Sequence, residues 1–397
     1  MDHYEIIVAG GGPVGCFTAA QLASKEKPVA VIEEHPAVGE PLHCAGLVTK
    51  RVFDITRCPQ TGIVQNKIYG AHIHSPDGTN LTIGGDKLHA LVIDRQRFDS
   101  VLAQAAQAAG ADLLTGYKVV SAQRQNSNVL LSVKHNEQPT TLGCHLLIGA
   151  DGSHSYIRNI FGFPKPAEIL QGIGAEVSGT ALDPRFVHIF VGQVFAPGFF
   201  AWVIPTDRHG TTARIGLCIG KHHNHPLQHY FTRLLQQPLL QGTTIMKRFG
   251  GTIPLGPLKK TVDDHVMLVG DAAAQVKPTS GGGLYTGVLC SQQCTRVAEQ
   301  AVRSQRFDEQ FLKNYHKNWT KEIGRELFLG MRFRKIFTHL TDAQFTKYIK
   351  KLDTQKTIDA INTFGDIDYP SQLALPLVRT SPSLLSLAPT LLKRTKH

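Results

Sequence analysis

The sequence contains no uninterrupted run of about 18 apolar residues, the length that a membrane-spanning helix needs. Residues 1–5, Met-Asp-His-Tyr-Glu, also lack the positive charge and the cleavage site of a secretory signal. A spanning helix is therefore excluded from the prediction, and secretion is disfavoured. We expect a cytoplasmic protein, and peripheral contact with the cytoplasmic face of the membrane is left open.

Cysteine is scarce and scattered along the chain. Its seven residues are odd in number and include no Cys-x-x-Cys pair. A disulfide scaffold, a zinc site or an iron–sulfur site usually needs such pairing, so none is expected and no metal site is predicted. Internal repeats and low-complexity tracts are also missing. The cysteines are Cys16, Cys44, Cys58, Cys144, Cys218, Cys290 and Cys294.

Acidic residues are outnumbered, since 42 Lys and Arg against 31 Asp and Glu give a net charge of +11. This surplus attracts nucleic acid, anionic lipid or an acidic redox protein. Basic and aromatic residues do not interleave as they do in nucleic-acid-binding motifs, so we expect no nucleic-acid partner. The length of 397 residues and the hydrophobic content of 42% predict a globular protein of two or three packed units.

The first chemical motif lies near the N-terminus. Residues 4–9 are predicted as a buried strand, residues 14–25 as a helix and residues 28–33 as a second strand. The turn after the first strand, Gly10-Gly11-Gly12-Pro13-Val14-Gly15, has the glycine spacing of a dinucleotide-binding loop, whose helix N-terminus faces a pyrophosphate. Glu33, about 20 residues further on, would accept the ribose hydroxyls. This βαβ unit is compatible with either NAD or FAD.

Two later segments distinguish these cofactors. Residues 148–155, Ile-Gly-Ala-Asp-Gly-Ser-His-Ser, and residues 269–273, Val-Gly-Asp-Ala-Ala, resemble motifs of the flavin-dependent hydroxylases. The resemblance implies FAD, with Asp271 on the ribityl chain. It also implies that the loop from Pro278 to Gly283 leads a helix whose N-terminus faces the flavin pyrimidine, where backbone N–H groups stabilise negative charge. The cofactor-binding residues predicted in this way are Gly10, Gly12, Pro13, Val14, Gly15, Glu33, Glu34, Cys44, Ala45, Gly46, Arg95, Val119, Asp151, Gly152, Gly270, Asp271, Pro278, Gly281, Gly282 and Gly283.

The predicted fold class is α/β (α+β overall). It combines a Rossmann-type FAD-binding domain of the hydroxylase-like flavoprotein kind with an antiparallel β-sheet substrate domain and a helical C-terminal region. Residues 67–73 and 80–83, on either side of Pro76-Asp77-Gly78, are predicted as hairpin strands. The predicted ranges are 1–62, 94–168 and 256–306 for the discontinuous FAD domain, 63–93 and 169–255 for the β-sheet domain, and 307–397 for the helical region.

From end to end the chain resembles the geranylgeranyl reductase family, which includes archaeal enzymes that saturate the isoprenoid chains of membrane lipids. The resemblance is carried by residues 39–46 (Gly-Glu-Pro-Leu-His-Cys-Ala-Gly), 197–205 (Pro-Gly-Phe-Phe-Ala-Trp-Val-Ile-Pro) and 365–370 (Gly-Asp-Ile-Asp-Tyr-Pro). It implies an FAD-dependent oxidoreductase of lipid biosynthesis that reduces geranylgeranyl C=C bonds. It also implies Cys44 or His43 as the catalytic proton donor.

The implied substrate-binding residues are Phe200, Trp202, Ile204 and Pro205. The family motif here is Tyr-x-Trp-x-Phe-Pro, so this chain lacks the tyrosine hydroxyl and the exact isoprenoid lipid stays open. The segment is also close to the Trp-x-Trp-x-Ile-Pro of flavin-dependent halogenases. A monooxygenase or halogenase acting on an aromatic molecule is therefore one alternative, and a non-catalytic flavin electron carrier or scaffold is another.

A second dinucleotide-binding unit does not follow in the sequence, so the external electron donor is a ferredoxin, a flavodoxin-like protein or NAD(P)H. The basic C-terminal third is a candidate surface for an acidic donor or an anionic membrane, or else a solvated helix face. Its residues include Arg332, Arg334, Lys335, Lys347, Lys350 and Lys351.

Overall fold

The structure, a computed structural model, describes residues 2–23, 28–41 and 44–387. Its strands are β1 (Asp2–Ala9), β2 (Val29–Glu33), β3 (Leu47–Val48), β4 (Val64–Ile68), β5 (Gly70–His74), β6 (Asn80–Gly84), β7 (Ala90–Ile93), β8 (Asp112–Thr115), β9 (Tyr117–Gln125), β10 (Asn128–His135), β11 (Gln138–Gly149), β12 (Glu168–Ser178), β13 (Phe186–Val191), β14 (Phe200–Pro205), β15 (Thr212–Ile219), β16 (Thr244–Leu255), β17 (Val262–Asp263) and β18 (Val266–Leu268). Its helices are α1 (Pro13–Ala23), α2 (Lys50–Thr56), α3 (Arg95–Ala108), α4 (Tyr156–Ile160), α5 (Leu227–Leu235), α6 (Leu284–Ser304), α7 (Glu309–Trp319), α8 (Arg325–His339), α9 (Asp342–Leu352), α10 (Gln355–Phe364) and α11 (Ala374–Thr380).

An eight-stranded sheet has the order β17-β18-β11-β1-β2-β8, and β10 and β9 join it beside β11. Its central strand β1 pairs in parallel with both β11 and β2. Side chains from α1, α3, α6 and α7 pack on one face of this sheet in the largest apolar cluster. Burial on both faces explains the continuous apolar run of β1, where Ile6, Ile7 and Val8 are fully buried. The predicted βαβ unit is confirmed.

A seven-stranded sheet has the order β16-β12-β15-β14-β13-β5-β6. Its pairs are antiparallel except β13 with β5, which run parallel. These two strands are separated by more than 100 residues, which include β8 to β11 of the other large sheet, so no tight hairpin imposes an antiparallel direction on them. The hairpin β5–β6 is confirmed, and it closes where Ser75 N donates to Thr79 O at 2.9 Å.

The single strand predicted for residues 67–73 is wrong. The strand is interrupted at Tyr69. Here the N–H groups of Tyr69 and Gly70 both donate to the carbonyl oxygen of Arg185, at 2.8 and 3.2 Å. Residues before the break belong to β4, in a small sheet of order β3-β7-β4, and those after it belong to β5. The alternation of apolar and polar residues along a segment cannot predict a hydrogen bond to a residue more than 100 positions away.

Helices α7 to α11 follow the two large sheets, and α9 and α10 lie against β6. The predicted fold class, with its parallel α/β sheet, its largely antiparallel second sheet and its helical C-terminal part, is confirmed. The predicted domain boundaries stay a prediction. Among the described residues no helix is both long and apolar enough to cross a bilayer.

Candidate functional site

The turn after β1 is built so that three backbone segments can meet. Gly10 has a φ of +106°, and a Cβ placed on it would lie 2.7 Å from the carbonyl carbon of Ala150. A Cβ on Gly15 would collide with the carbonyl oxygen of Gly10. Only glycine therefore allows α1 and the loop after β11 to approach the end of β1. A Cβ built on Gly12, by contrast, would meet no atom of the described chain within 4 Å beyond Gly12 and its two chain neighbours.

Pro13 is the first residue of α1, and Val14 follows it. The side chain of Val14 lies against both Gly270 and Gly287. A Cβ built on Gly270 would be 3.2 Å from Val14 Cγ1, and one built on Gly287 would be 2.6 Å from Val14 Cγ2. The N-terminus of α1 therefore faces the open space at Gly12 from one side, with the loop after β18 beside it. An exposed helix N-terminus next to open space is the arrangement that binds phosphate.

Glu33 ends β2 next to this turn. Its Oε2 accepts from Gly11 N at 2.8 Å, and its Oε1 accepts from His35 N at 2.9 Å. The neighbouring Glu34 instead points to solvent and pairs with Lys118 at 3.3 Å. Val119 lies on β9 and packs against the second cluster of the large sheet. The structure thus places Glu33 at the glycine turn and Glu34 at the surface.

Asp151 follows β11, and its carboxylate is hydrogen-bonded within its own loop. Its carboxylate accepts from Ser155 Oγ at 2.5 Å and from Ile157 N at 2.9 Å, so it holds the start of α4. Burial raises the pKa of this carboxyl, while those hydrogen bonds act in the opposite sense. Gly152 has a φ of +77°, and a Cβ on it would also meet open space in the described structure.

Asp271 lies in the turn after β18, next to the loop from Pro278 to Gly283, which we call the glycine loop. A Cβ on Gly283 would be 2.6 Å from Asp271 Oδ1, so glycine lets the loop lie on the carboxylate. Burial raises the pKa of Asp271 to about 6, and the charge of Arg95 lowers it in part. Gly270, with a φ of +67°, donates its N–H to Gln275 Oε1 at 2.8 Å.

The glycine loop is wedged between the second sheet and α8. Pro278 lies 2.9 Å from the position of a Cβ on Gly330, and a Cβ on Gly281 would be 2.9 Å from Ile253 Cδ1. Gly282 and Gly283 complete the loop, and α6 begins at Leu284. The predicted helix after the loop is confirmed.

Arg95 links the segment of Cys44 to Asp271. It pairs with Asp99 at 2.9 Å. Burial opposes its charge, but Asp99 and Cys44 together raise the pKa of Arg95 above its ordinary value. The structure therefore brings Cys44, Arg95 and Asp271 into one neighbourhood. His43 lies outside the described residues.

The backbone of residues 44–46 is held from the second sheet. Gly46 has a φ of +72° and donates its N–H to Cys44 Sγ at 3.4 Å. Arg214 Nη1 donates to the carbonyl oxygen of Ala45 at 3.3 Å and to that of Ile93 at 2.8 Å. Arg214 was missed in the sequence because an arginine in a strand has no local signal for a contact 169 positions away.

Phe200, Trp202 and Ile204 alternate along one face of β14. The rings of Phe200 and Trp202 are 6.1 Å apart, and Trp202 covers Gly216 of the next strand. Ile204 is only 3% exposed and packs with Ile68 and other core residues, so it lines the interior rather than a free surface. The carbonyl oxygen of Pro205 accepts from Asn66 Nδ2 at 3.0 Å.

An apolar cluster connects the aromatic side chains of Phe199, Phe200 and Trp202, which we call the apolar wall, to the glycine loop. It contains Phe199, Cys218 and Val276, with Phe200 and Trp202 packed against it. Two buried polar atoms in this region, Trp202 Nε1 and Ser280 Oγ, have no hydrogen-bond partner among the described residues. Buried polar groups are normally satisfied, so these two atoms are available to hydrogen-bond a bound cofactor or a water molecule. Together with the open space at Gly12 and Gly152, they fit an extended dinucleotide cofactor.

No group of three or more His, Cys, Asp or Glu side chains that could hold a metal ion occurs in the described part of the chain. The cysteines are free thiols, six of them buried and Cys44 partly exposed. Burial raises the pKa of Cys290 and Cys294, which face the core from α6.

Comparison with known proteins agrees with this geometry. The profile of the "FAD binding domain" family matches residues 3–245. An uncharacterised protein of Methanocaldococcus jannaschii is 32% identical over 96% of each chain. Digeranylgeranylglycerophospholipid reductase 2 of Methanothermobacter thermautotrophicus is 30% identical, over 94% of this chain and 98% of its own. The crystal structure of a geranylgeranyl bacteriochlorophyll reductase-like protein from Thermoplasma acidophilum is similar with a TM-score of 0.86 and 21% identity, over 99% of this chain and 100% of that one. The FAD prediction and the hydroxylase-like fold are confirmed.

Proposed function

Because the chain belongs to the FAD-binding geranylgeranyl reductase family, we propose that it saturates isoprenoid C=C bonds of archaeal-type membrane lipid precursors. The observation that carries the proposal is the apolar wall of Phe199, Phe200 and Trp202, which adjoins the glycine loop of the FAD site. A Cβ on Gly281 would lie 3.2 Å from the ring of Phe199, so wall and loop are in contact. An isoprenoid chain needs such an apolar surface next to the reacting atoms.

The residues that would hold the cofactor lie at both ends of this site. Gly10, Gly12 and Gly15 would admit the pyrophosphate, Glu33 would accept ribose hydroxyls, and Asp271 would accept from the ribityl chain. When bound, reduced FAD would supply a hydride, that is the two electrons and one of the two hydrogens that saturation adds to an alkene.

The protein's own contribution to the chemistry is a dry surface and a proton. An isolated alkene has no carbonyl to stabilise negative charge, so a proton must be delivered as the electrons arrive. Cys44 carries that proton at Sγ in this proposal, with His43 as the other candidate, and the proton is replaced from solvent. The apolar wall excludes water and holds the isoprenoid chain of the substrate against the cofactor site.

An external electron donor and contact with a membrane are part of the proposal, and the charge of the C-terminal helices supports them. Arg332, Lys347 and Lys351 are exposed there. Arg334 is not available for docking, since its side chain is 4% exposed and pairs with Glu168 at 2.9 Å. Lys350 pairs with Asp77 at 2.7 Å. The remaining exposed cations form a smaller basic surface than the sequence alone indicates.

Anaerobic turnover tests the proposal. Protein reduced with dithionite is mixed with a geranylgeranylated glycerophospholipid, and the lipid is analysed by mass spectrometry for gains of about two mass units per saturated bond. Oxidised protein and a fully saturated lipid are the controls. A monooxygenase or halogenase would consume oxygen with an aromatic substrate and leave the lipid unchanged. A carrier or scaffold would bind FAD and form no product.

A wall variant tests the substrate site. Trp202→Leu should slow lipid reduction by about tenfold or more, because a large buried apolar contact surface is lost, while FAD remains bound. Leu88→Ala, at an exposed position, is the control and should leave the rate unchanged. Equal rates in the Trp202 variant and the parent would contradict the assignment of the wall.

A further inference from the structure

One motif of the sequence, residues 365–370, has no part in the roles given so far. Its Asp368 is completely buried, and Asp368 Oδ1 lies 2.6 Å from Lys277 Nζ. Lys277 is also buried, with 7% of its side chain exposed. Fully buried lysine and aspartate side chains are rare and are normally kept as pairs.

Lys277 is the residue immediately before the glycine loop, and it supports that loop from below. Its N–H donates to Gly282 O at 3.2 Å, and its carbonyl oxygen accepts from Gly281 N at 2.8 Å. A Cβ on Gly282 would lie 3.0 Å from Lys277 Cε and 3.3 Å from Nζ. The ammonium group therefore lies directly beneath the backbone of the loop.

Asp368 connects the loop to a third segment. Its Oδ2 accepts from Thr49 Oγ1 at 2.6 Å and from Arg51 Nη1 at 3.0 Å. Arg51 also pairs with Asp366 at 2.7 Å. Thr49 and Arg51 follow closely on Cys44, so one network joins the Cys44 segment, the glycine loop and residues 366–368. Two cations and two carboxylates balance its charge.

We propose that Lys277 and Asp368 are positioning residues that hold the glycine loop and balance the charge beneath it, so that this pair adjusts how strongly the site favours reduced FAD. Negative charge develops near N1 of a reduced flavin, and charges close to that atom shift its reduction equilibrium. In a buried site such charges are weakly screened. The inference rests on the FAD site of the proposed function and does not depend on which alkene is reduced.

Opposite changes of charge give opposite results. Asp368→Asn leaves Lys277 uncompensated and should raise the ratio of reduced to oxidised FAD by about tenfold, ~30 mV for a two-electron couple. Lys277→Met leaves Asp368 with Arg51 and Thr49 and should lower that ratio by about tenfold. The double variant removes both charges and should return the ratio to within about twofold of the parent.

The ratio is measured on the purified, FAD-loaded full chain, in equilibrium with a redox dye in the absence of oxygen. Lys260→Met is the matched control, because Lys260 pairs with Glu309 at 2.9 Å on the surface, and it should leave the ratio unchanged. No lipid is present, so a failure of the lipid assay does not affect this measurement.

A purely structural role would weaken FAD binding and lower the melting temperature without a sign difference between the two single variants. Shifts in the same direction, or no shift in variants that keep FAD, would overturn the proposal. If either single variant does not fold, Arg51→Met replaces it, since 43% of that side chain is exposed. It removes a cation beside Asp368 and should lower the ratio, and an unchanged ratio there would also overturn the proposal.

Discussion

Arg214 Nε lies 2.9 Å from Glu176 Oε1, and this ion pair fixes the Arg214 side chain, which is 4% exposed, against the segment of Cys44. The other nitrogens of Arg214 donate to the carbonyl oxygens of Ala45 and Ile93 and to Gln65 Oε1. One side chain of the second sheet therefore supports a loop of the FAD site. The geometry of Cys44 depends on a strand that is distant in sequence.

Arg214→Met should lower the free energy of unfolding by about 2–3 kcal/mol, because Glu176 and two backbone carbonyls lose their buried partner. It should also lower lipid reduction, since the Cys44 segment loses its support. Urea unfolding and the lipid assay measure the two effects. Arg185→Met is the matched control: it breaks an exposed pair with Asp183, which water already screens, and should leave the free energy of unfolding close to that of the parent. Equal stabilities of the two variants would contradict the buried role.

Gly12→Ala should bind FAD about tenfold more weakly, about 1.4 kcal/mol, because the added methyl group enters the space assigned to the pyrophosphate. Apart from Gly12 and its two chain neighbours, no atom of the described chain lies within 4 Å of that methyl group, so the FAD-free variant should melt at the temperature of the parent. Fluorescence titration with FAD and thermal melting separate these effects. Undiminished FAD affinity would place the pyrophosphate elsewhere.

Cys44→Ala should retain FAD but reduce lipid about 100-fold more slowly, the usual loss when a positioned proton donor is removed. The rate is followed as reoxidation of the reduced protein by the lipid in a single turnover. Cys58→Ala is the control, because burial raises the pKa of Cys58 to about 11 and this thiol packs in the core. A wild-type rate in the Cys44 variant would leave His43 as the remaining candidate.

FAD affinity should rise as the pH rises through about 6, the value to which burial raises the pKa of Asp271. Below that pH the carboxyl is protonated and is a poorer acceptor for the ribityl hydroxyls, so binding at pH 5 should be about tenfold weaker than at pH 7. Asp271→Asn should bind weakly at both pH values. An equally steep pH profile in that variant would assign the titration to another group.

The free energy of unfolding should fall as the pH falls from about 6.5 to about 4. Burial lowers the pKa of both His74 and His188 to about 4, and neighbouring histidine charges add to the effect. The unfolded chain binds protons at these positions at higher pH than the folded chain does, so the stabilisation is complete above about 6.5 and is lost through this window. The two rings are partly buried, and a loss of roughly 1 kcal/mol each is expected after solvent screening.

Urea unfolding at several pH values measures this slope. His188→Phe keeps an aromatic ring beside His72 and His74 but cannot be protonated, so its slope should be about half that of the parent. His229→Phe, at an exposed position, should keep the parental slope. A full slope in the His188 variant would exclude this cluster as its source.

Several parts of the molecule were accessible from the order of the residues because their physics is local. The turn from Gly10 to Gly15 and the position of Glu33 depend on backbone conformations and spacings within about 20 residues. The helix after Gly283 and the hairpin around Pro76-Asp77-Gly78 are equally local. The apolar run of β1 indicated a strand that is buried on both faces. Family resemblance then added FAD and the reductase activity, which spacing could not distinguish from NAD chemistry.

Tertiary structure alone decided the partners of the buried charges. Lys277 pairs with Asp368, 91 positions away, and Arg214 donates to the carbonyl oxygen of Ala45, 169 positions away, and no local sequence pattern predicts either partner. The same holds for Tyr69, where the strand is interrupted and the N–H group donates to Arg185 O. It also holds for Arg334, which the sequence predicts as a surface cation but which is buried and pairs with Glu168. Hydrogen bonds and ion pairs act over a few ångströms of space, and only the packed chain brings distant residues within that range.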